Sequence, residues 1–562
     1  MRHILFFALL FISRIVNAQT PNFVWTKGFG GLDNENVSSV ATDINGNVFM
    51  TGYFLSDTLN FDSLSLSNTN QNTSSFTYLK SDIFIAKFDN EGNTLWAKNA
   101  RGNKYDASMA MSLDYDGNVI VTGTFNSDTL YFDSISLIHS VPNPNSNAVS
   151  DFFIVKFDTF GNVLWAKSTY KAIANSIAVD LDNNVFVSGS YYATTFLVLD
   201  SITINGQGAN DIFLAKYDES GNLIWGKSIG GASSDWDKAV TTDMSGNVFL
   251  TGYTQSSTLS IDTMSLAMTC RTFIAKFNPN GELIWAINAA NSGSIDAKSI
   301  KTDLNGNLIL VGGFHSATVN FGSTTLTNFV TNPSIAYDNK NDVLIAKYDG
   351  FSNLLWAKSA GAFDHDIAKS VFIDGSDHIY VTGDFSYQLI FGPFSLTEIS
   401  WENLFILKLD ASGNSLWLKS ALKANASAIC VDNYNNAFII GSYDHNANFD
   451  SITLIANPSY YTNIFLTKLD ITTGVEEINN TVEQVIYPNP FTSTTTFQSK
   501  STLKNATAII YNSMGQEVKQ IKNISGNSFN FERDNLHAGL YFINLAEGNK
   551  IISTEKFVIS DY

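Results

Sequence analysis

Short segments rich in β-branched and aromatic residues recur along most of the chain. The segments NVFVSGSY, DIFLAKYD and NLIWGKS are examples, and Gly, Asn, Asp or Ser residues lie at their ends. Such segments between turn residues are typical of β-strands. The pattern predicts an all-β protein.

Four phrases repeat seven times in the same order, at a spacing of about 58 to 71 residues. The first, of the type LWAK, has its Trp at Trp25, Trp96, Trp165, Trp225, Trp285, Trp356 and Trp417. The second, Asp-x-x-Gly-Asn-Val or a variant, begins at Asp43, Asp114, Asp180, Asp243, Asp303, Asp374 and Asp432. The third, T-G-Y-F-like, has its glycine at Gly52, Gly123, Gly189, Gly252, Gly312, Gly383 and Gly441. The fourth, F-I-A-K-F-D-like, ends at Asp89, Asp158, Asp218, Asn278, Asp349, Asp410 and Asp470. We predict that each phrase is one strand.

The connections between these phrases carry turn signals. Asp-Ile-Asn-Gly-Asn at 43–47 and Asp-Asn-Glu-Gly-Asn at 89–93 combine Asp and Asn caps with a Gly that tolerates positive φ. Both are predicted as tight hairpins, and the first is too incomplete for a calcium loop because it lacks the distal Glu. Four consecutive antiparallel strands in each repeat predict the blades of a β-propeller.

The two ends of the repeated region predict how the ring closes. The strand Val24–Lys27 has no preceding partner, and no Trp strand follows Ile464–Asp470. Pairing the two would remove an exposed edge. We therefore predict a seven-bladed β-propeller in residues 19–474, closed by the N-terminal strand. A solenoid, which would need capping repeats, is the alternative.

The repeat also has a family resemblance. The pattern W-x-K, VD-x-x-GNV-x-V-TG-x-F and D-x-F-I-A-K-F-D-x-x-G resembles the SBBP-type bacterial β-propeller repeat over residues 24–470. The resemblance implies the propeller fold and no single activity. The seven Trp residues are then expected to pack between neighbouring blades.

Residues 1–18 have the form of a secretory signal peptide. The apolar run Ile4–Ile12 is too short to span a bilayer, and no later run approaches the roughly 20 residues of a membrane span. We expect an exported chain with no transmembrane segment. The two cysteines, Cys270 and Cys430, fall at different points of the repeat and are expected to be free, buried thiols.

Composition narrows the class of protein further. The chain of 562 residues has 33 Lys+Arg and 52 Asp+Glu, a formal charge of -19, and 13% aromatic residues. It is too aromatic for a disordered chain and too acidic to bind nucleic acid through bulk charge.

The C-terminal region has a different pattern. Residues 475–484 form a short polar linker, and residues 485–562 contain alternating stretches that predict a small Ig-like β-sandwich. YPNPF at 487–491, IYNSMGQEV at 510–518, Leu-x-x-Gly-Leu-Tyr at 536–541 and Lys556 resemble the type A C-terminal sorting domain of the type IX secretion system. The resemblance implies that residues 485–562 bind the type IX machinery. Passage across the outer membrane, followed by removal of the domain and surface attachment or release, would follow.

The candidate ligand site is the channel mouth of the predicted propeller. With the second phrase as the innermost strand, the Gly-Asn turns lie on one face, and the long variable inserts lie on the other, where recognition is expected. Eight residues before the repeated Asp stand four acids, Glu35, Asp106, Asp235 and Asp366. Hard oxygen ligands at such a mouth suit calcium, although loop capping is the simpler interpretation. The neighbouring Tyr105, Trp236 and His365 offer a stacking surface for a sugar, or are ordinary exposed side chains.

A short motif in the inserts points to modification. Asp followed by Ser or Thr and an aliphatic residue or Met resembles the O-glycosylation motif of bacteria that use type IX secretion. Its acceptors here would be Thr58, Ser63, Thr129, Ser134, Ser201, Thr263 and Ser451. Because the motif is short and lies in a repeat, repetition alone can produce it.

No catalytic constellation stands out: G-x-S-x-G and H-E-x-x-H are missing from the sequence. The sequence therefore predicts a secreted or cell-surface, non-enzymatic scaffold without a cofactor, for adhesion or for binding a glycan or protein. A carbohydrate-active hydrolase or lyase with its site at the channel mouth is one alternative. A structural component of the cell-surface layer is another.

Overall fold

The computed structural model describes residues 20–68, 80–139, 150–192, 196–329, 340–362, 364–456, 461–471, 484–512, 517–547 and 550–561. Within these ranges every regular element is a β-strand, and there is no helix long and apolar enough to cross a membrane. The predicted signal peptide and residues 475–483 of the predicted linker lie outside the described residues. The chain divides into two compact units, Met1–Thr472 and Thr473–Tyr562.

The larger unit consists of a first strand, β1 (Asn22–Phe29), and seven repeats in the described residues. Repeat 1 contains β2 (Glu35–Thr42), β3 (Val48–Phe54), β4 (Thr58–Phe61), β5 (Leu64–Ser67), β6 (Asp82–Phe88) and β7 (Thr94–Ala100). Repeat 2 contains β8 (Asp106–Leu113), β9 (Val119–Phe125), β10 (Thr129–Phe132), β11 (Ile135–Ile138), β12 (Asp151–Phe157) and β13 (Val163–Thr169). Repeat 3 contains β14 (Ala172–Val179), β15 (Val185–Tyr192), β16 (Phe196–Leu199), β17 (Ile202–Asn205), β18 (Asn210–Tyr217) and β19 (Leu223–Gly230).

The remaining repeats follow the same order of strands. Repeat 4 contains β20 (Asp235–Thr242), β21 (Val248–Thr254), β22 (Thr258–Ile261), β23 (Met264–Ala267), β24 (Thr272–Phe277) and β25 (Leu283–Asn288). Repeat 5 contains β26 (Ile295–Thr302), β27 (Leu308–Phe314), β28 (Thr318–Asn320), β29 (Thr325–Thr327), β30 (Asp342–Tyr348) and β31 (Leu354–Ala360). Repeat 6 contains β32 (Ile367–Ile373), β33 (Ile379–Phe385), β34 (Gln388–Phe391), β35 (Phe394–Thr397), β36 (Asn403–Leu409) and β37 (Ser415–Leu422). Repeat 7 contains β38 (Asn425–Val431), β39 (Asn436–Tyr443), β40 (Ala447–Phe449), β41 (Ile452–Leu454) and β42 (Asn463–Asp470).

Each repeat builds one antiparallel sheet and one added hairpin. In repeat 1 the sheet order is β2-β3-β6-β7, and β4 pairs with β5. The first strand of every repeat contacts the first strand of the next, and β38 contacts β2. In the last sheet, β1 pairs with β42, from Asn22 opposite Asp470 to Phe29 opposite Ile464. The first strands therefore surround a central axis, as in a β-propeller.

The prediction that each phrase forms one strand is wrong for two of the four phrases. The second and third phrases share one strand, because β3 contains both Val48 and Gly52. The innermost strand is the more polar segment before Asp43, ENVSSVAT in repeat 1. The Asp itself starts the turn: Asp43 Oδ1 accepts from the backbone N–H of Asn47 at 2.9 Å, and Asn47 Nδ2 donates to Oδ2 at 2.7 Å.

Every innermost strand carries a β-bulge opposite the repeated glycine. In β2, Val37 pairs with Gly52 and Ser39 pairs with Thr51, so Ser38 has no residue opposite it on β3. A bulge leaves its extra residue outside the ladder and bends the strand. A Cβ on Gly52 would lie 1.9 Å from the carbonyl oxygen of Asn36, so the approach of the bulged strand requires glycine here.

The inserts begin with a regular hairpin instead of the variable loop that the sequence predicts. In repeat 1, Asp62 has a φ of 50° in the two-residue turn, and Leu59 and Phe61 are fully buried. Asp62 also forms an ion pair with Lys27 on β1, which places the hairpin against the outer strand of the preceding sheet. In repeat 4 the hairpin joins that sheet directly, since β22 pairs with β19.

The smaller unit contains β43 (Gln484–Tyr487), β44 (Thr494–Asn512), β45 (Glu517–Glu532), β46 (Gly539–Glu547) and β47 (Lys550–Ile559). The predicted sandwich is instead one connected sheet in the described residues, ordered β43-β44-β46-β47, with β45 paired to β44. Along β44, the partner changes from β43 to β46, with register shifts on the β45 side. The long irregular strand therefore serves both halves of a shared core that includes Phe497, Phe531 and Phe557.

Candidate functional site: the central channel

A cavity of about 770 Å³ lies along the axis of the larger unit. The first strands of all seven repeats line it, together with Asp-Gly-Asn turns such as 43–45 and 114–117. The bulge residues are among its lining side chains: Ser38, Met109, Asn175, Lys238, Lys298, Lys369 and Ser427. Side chains that the ladder does not use are thus available to the channel.

Three consecutive repeats place lysine at the bulge. Asp296 stands between two of them, 3.5 Å from Lys238 and 2.8 Å from Lys298. Lys369 forms an ion pair with Asp384. The three lysine side chains are 30 to 34% exposed, so their ammonium groups reach the water of the channel.

A fourth lysine lies on the same part of the wall. Lys301 lines the cavity, and it has no ion-pair partner within the part of the chain that the structure describes. Water reaches its side chain, but strands surround it, and this burial lowers the pKa of the Lys301 ammonium.

The sequence analysis did not identify these lysines. The signal that locates them is simple: each bulge residue stands five positions before the repeated Asp, as Lys238 does before Asp243. This spacing identifies a channel residue only when the position of the bulge is known from the structure.

The four acids predicted at the mouth stand at the start of four different innermost strands. Each is buried, with an exposed fraction of 2% for Glu35 and 0% for Asp106, Asp235 and Asp366. Hydroxyls at or just after the end of the second strand bind three of them: Ser56 to Glu35, Ser127 to Asp106 at 2.6 Å, and Thr254 and Ser256 to Asp235. Asp366 accepts from the backbone N–H groups of Ala362 and Ser386.

Burial raises the pKa of each of these acids. Burial raises the pKa of Glu35 and of Asp106 to about 7 and that of Asp366 to about 8. The pKa of Asp235 is also raised by burial. Asp366 is further affected by the carboxylate of Asp342, the first residue of β30 in the preceding repeat, whose own pKa burial raises to about 7.

These acids are therefore placed to hold the insert on the innermost strand. Among the described residues, there is no group of three or more His, Cys, Asp or Glu side chains arranged to hold a metal ion. The calcium site that the sequence raised stays a prediction.

The three predicted stacking residues lie in repeats 2, 4 and 6, each next to one of the acids. Tyr105 packs edge-on against Tyr53 with ring centroids 5.4 Å apart, and Trp236 lies 6.0 Å from Tyr253. Both are half-buried, whereas His365 is exposed. They occupy three non-adjacent repeats, and a joint role in sugar stacking stays a prediction.

The repeated Trp and Lys residues join neighbouring repeats. Trp96 Nε1 donates to the carbonyl of Thr159 at 3.3 Å, and Lys87 Nζ donates to the same oxygen. Equivalent indole bonds are made by Trp25, Trp165, Trp225, Trp285 and Trp356. The predicted packing of Trp between neighbours is confirmed at these positions. Trp417 is fully buried, and its Nε1 has no partner among the described residues.

The predicted glycosylation acceptors occupy two kinds of position. Ser63, Ser134, Ser201, Thr263 and Ser451 are exposed in the turns of the insert hairpins. Thr58 and Thr129 begin hairpin strands and are half-buried. The preceding Asp of the turn forms an ion pair with the outer strand in several repeats, for example Asp133 with Lys98 at 3.1 Å. This structural use explains the repeated Asp, and glycosylation stays a prediction.

The two cysteines, Cys270 and Cys430, are free and buried, as the sequence predicts.

Comparisons with known proteins give family matches in both units. Residues 224–259 match the SBBP family, described as a β-propeller repeat, and residues 485–560 match the secretion system C-terminal sorting domain. A curated WD repeat-containing protein of Acanthamoeba polyphaga mimivirus, described as uncharacterized, is 23% identical over 530 residues. The alignment covers 78% of this chain and 38% of that relative, so the chain spans about two fifths of the relative's length.

The solved structures that match this chain have low sequence identity and TM-scores below 0.5. The Dos1 propeller is 8% identical with a TM-score of 0.40, and the match covers 80% of this chain and 94% of that one. PorZ of Porphyromonas gingivalis, described as an essential surface component of the type IX secretion system, is 12% identical with a TM-score of 0.26 over 93% of this chain and 81% of that one. Synechocystis apocarotenoid oxygenase is 9% identical with a TM-score of 0.37, over 78% and 94% of the two chains.

The two family matches and the strand arrangement agree on the class of protein. The chain carries an SBBP-type β-propeller repeat at residues 224–259 and a secretion system C-terminal sorting domain at residues 485–560, and the sorting domain indicates secretion and attachment at the outer membrane or cell surface.

Proposed function

We propose that the protein is a non-enzymatic surface scaffold, a seven-bladed β-propeller closed by β1, which binds an extracellular glycan or protein through its channel. The closed circle of contacts from β2 to β38 and the pairing of β1 with β42 support the ring. The sorting domain supports delivery to the surface. Residues 1–18 would be removed during export, and residues 485–562 would bind the type IX machinery.

The observation that carries the binding role is the uneven wall of the channel. Positions that join neighbouring repeats keep the same residue types, such as Trp and Lys, all around the ring. The bulge positions do not, since Ser, Met, Asn and Lys all occur there. Variation among side chains that face a cavity is what a ligand site on a rigid scaffold requires.

The alternative of a hydrolase or lyase has less support. Its candidate acid–base pair would be Asp342 and Asp366, because both pKa values are raised. Both carboxylates are 0% exposed, so a polysaccharide does not reach them in this conformation. General acid–base catalysis needs the carboxyl group within hydrogen-bond distance of the substrate.

Two experiments test the proposal separately. For surface delivery, cells would produce the full chain or a chain lacking residues 485–562, and external protease would be applied to intact cells. We expect cleavage of the full chain only, and equal surface display of both chains would contradict the sorting role.

For binding, the purified protein would be applied to a glycan array with and without calcium, beside a screen for polysaccharide degradation. Retention of a glycan without cleavage supports a binding scaffold, and product formation supports the enzyme. A protein that binds nothing and assembles into an ordered layer would support the structural surface-layer component.

A further inference from the structure

The side chains at the bulges differ from repeat to repeat in a way that the fold does not require. A bulge residue lies outside the hydrogen-bond ladder, and here it faces the cavity. Ser38 and Ser427 show that a small side chain is compatible with the same backbone. Lysine in three consecutive repeats therefore needs a reason other than packing.

The charges on this part of the wall do not cancel. Lys238 and Lys298 share one carboxylate, that of Asp296, and Lys301 has no ion-pair partner within the described ranges. Asp237, which follows Trp236 at the start of β20, is 3% exposed and accepts hydrogen bonds from Asn175, Ser188 and Ser190. Lys369 is balanced by Asp384. On this side of the channel, four lysines face the three carboxylates of Asp237, Asp296 and Asp384, in a protein whose net charge is -19.

The rest of the wall is mixed. Apolar side chains such as Val240 line it, and so do aspartates of the turns, of which Asp43 and Asp114 form ion pairs with Lys87 and Lys156. Ser38, Asn175 and Ser427 occupy the bulges of three other repeats and Met109 that of the fourth, and Ser112 and Ser299 also line the cavity. Hydroxyl and amide groups suit a partner that carries many hydroxyls, and ammonium groups suit its carboxylate or sulfate. A polypeptide ligand would gain less from such a wall, because most of its surface carries no hydroxyls.

We propose that Lys238, Lys298, Lys301 and Lys369, the lysine arc, bind the carboxylate or sulfate of an acidic oligosaccharide that enters the channel. The inference rests on the proposed function, since it names the ligand class and the residues of the binding site. The cavity of about 770 Å³ is within the size range of small-molecule sites. Lysine recognises such a group as a point charge, so the arc selects for charge more than for one particular sugar.

The test uses the purified full chain and isothermal titration calorimetry with four probes. These are an oligogalacturonate, a sulfated oligosaccharide, a neutral oligosaccharide of equal length, and an oligoglutamate peptide. The first two separate carboxylate from sulfate. We expect at least one of them to bind, with an affinity that falls as salt rises, because salt screens charge attraction.

Matched variants then locate the site. The arc variant carries Lys238→Gln, Lys298→Gln and Lys369→Gln. The control carries Lys98→Gln, Lys167→Gln and Lys227→Gln, which remove the same charge from exposed ion pairs on outer strands. We expect the arc variant to bind about tenfold or more weakly, corresponding to at least about 1.4 kcal/mol, and the control to bind within about twofold of wild type. Equal thermal midpoints for the two variants would show that folding is not the cause.

A third variant tests the charge argument in the opposite direction. Asp296→Asn removes the carboxylate that Lys238 and Lys298 share, and we expect it to bind the acidic oligosaccharide several times more tightly. Unchanged binding in the arc variant, equal binding of the neutral probe, or tighter binding of oligoglutamate would each overturn the inference. If no acidic oligosaccharide binds wild type, the lysine arc is wrong, whereas the scaffold proposal still holds if the glycan array retains another glycan.

Discussion

The repeated glycine opposite each bulge allows a quantitative test of the propeller wall. Gly123 on β9 lies opposite the bulge at Met109, and a Cβ at this position would be 2.1 Å from the carbonyl oxygen of Ala107 and 2.8 Å from the Cα of Ser108. Both atoms belong to the backbone, so no rotation of a side chain relieves the clash. The substitution Gly123→Ala therefore forces the two strands apart.

The size of the effect follows from the distances. To bring the contact from 2.1 Å to about 3.0 Å, the shortest that real Cβ atoms adopt, β8 or β9 must move by about 0.9 Å. Overpacking a well-packed region costs about 1–3 kcal/mol, and a clash with fixed backbone belongs at the upper end. We expect a loss of about 3 kcal/mol in the free energy of unfolding. In a unit of this size, that loss corresponds to a fall of roughly 3–6 °C in the thermal midpoint.

Two other glycines provide the comparison. A Cβ on Gly252 would lie 2.7 Å from the carbonyl of Trp236, and its nearest contact, at 2.6 Å, is with the ring of Phe273, a side chain that can rotate without a shift of the backbone. We expect Gly252→Ala to lower the midpoint by less than Gly123→Ala does. A Cβ on Gly375 would have no heavy atom within 4 Å apart from its chain neighbours, and the φ of Gly375 is not positive. Gly375→Ala should therefore change stability by less than about 0.5 kcal/mol.

The assay is differential scanning fluorimetry, supported by near-ultraviolet circular dichroism, on the wild type and the three variants. The reasoning predicts the order Gly123→Ala, Gly252→Ala, Gly375→Ala from most to least destabilised. If Gly123→Ala and Gly375→Ala have the same midpoint, the close approach at the bulge is not the reason for the repeated glycine.

Three further predictions concern charge and ring closure. Asp366→Asn should raise the thermal midpoint relative to wild type more at pH 8.5 than at pH 5. The Asp366 carboxyl keeps its proton in the folded state up to a pKa of about 8, so the wild type loses stability as the pH rises from about 4, whereas the Asn variant does not. The same difference in midpoint at both pH values would contradict this. Lys156→Met should lower the free energy of unfolding in urea by about 3 kcal/mol, because it removes the Lys156 ammonium that lies 2.8 Å from the buried Asp114 carboxylate. Lys98→Met, which breaks an exposed ion pair with Asp133, should lower it by under about 1 kcal/mol. Deletion of residues 20–29 should lower the midpoint and cause aggregation on size-exclusion chromatography, because it exposes the edge of β42; an unchanged elution profile would argue against closure by β1.

Much of the fold was predictable because its signals are local. The turn from Asp43 to Asn47 is closed by hydrogen bonds among five consecutive residues, so its sequence carries its geometry. The positive φ of Gly46, at 78°, is part of the same local signal. Seven copies of such turns were enough to predict antiparallel sheets, and the free strands at the two ends were enough to predict their pairing.

The candidate site was predicted less well because a bulge interrupts the alternation of side chains. Counting back from Asp43 to Glu35 assumes a period of two, but the extra residue at Ser38 reverses which side the earlier residues face. Glu35 is therefore 2% exposed and bound to Ser56, although the count placed it near the open mouth. The same extra residue brings Lys238 and its counterparts to the channel.

By itself, the sequence determined the all-β class, the repeat and its hairpins, the free buried cysteines and the sorting domain. These depend on interactions within one repeat or on a motif of adjacent residues. Only the tertiary structure decided which side chains face the channel, because that surface forms when strands from distant parts of the chain meet, as β1 and β42 do between Asn22 and Asp470. It also decided that Asp106 and Asp366 are buried and protonate easily, since burial depends on the neighbouring repeat and not on the local sequence.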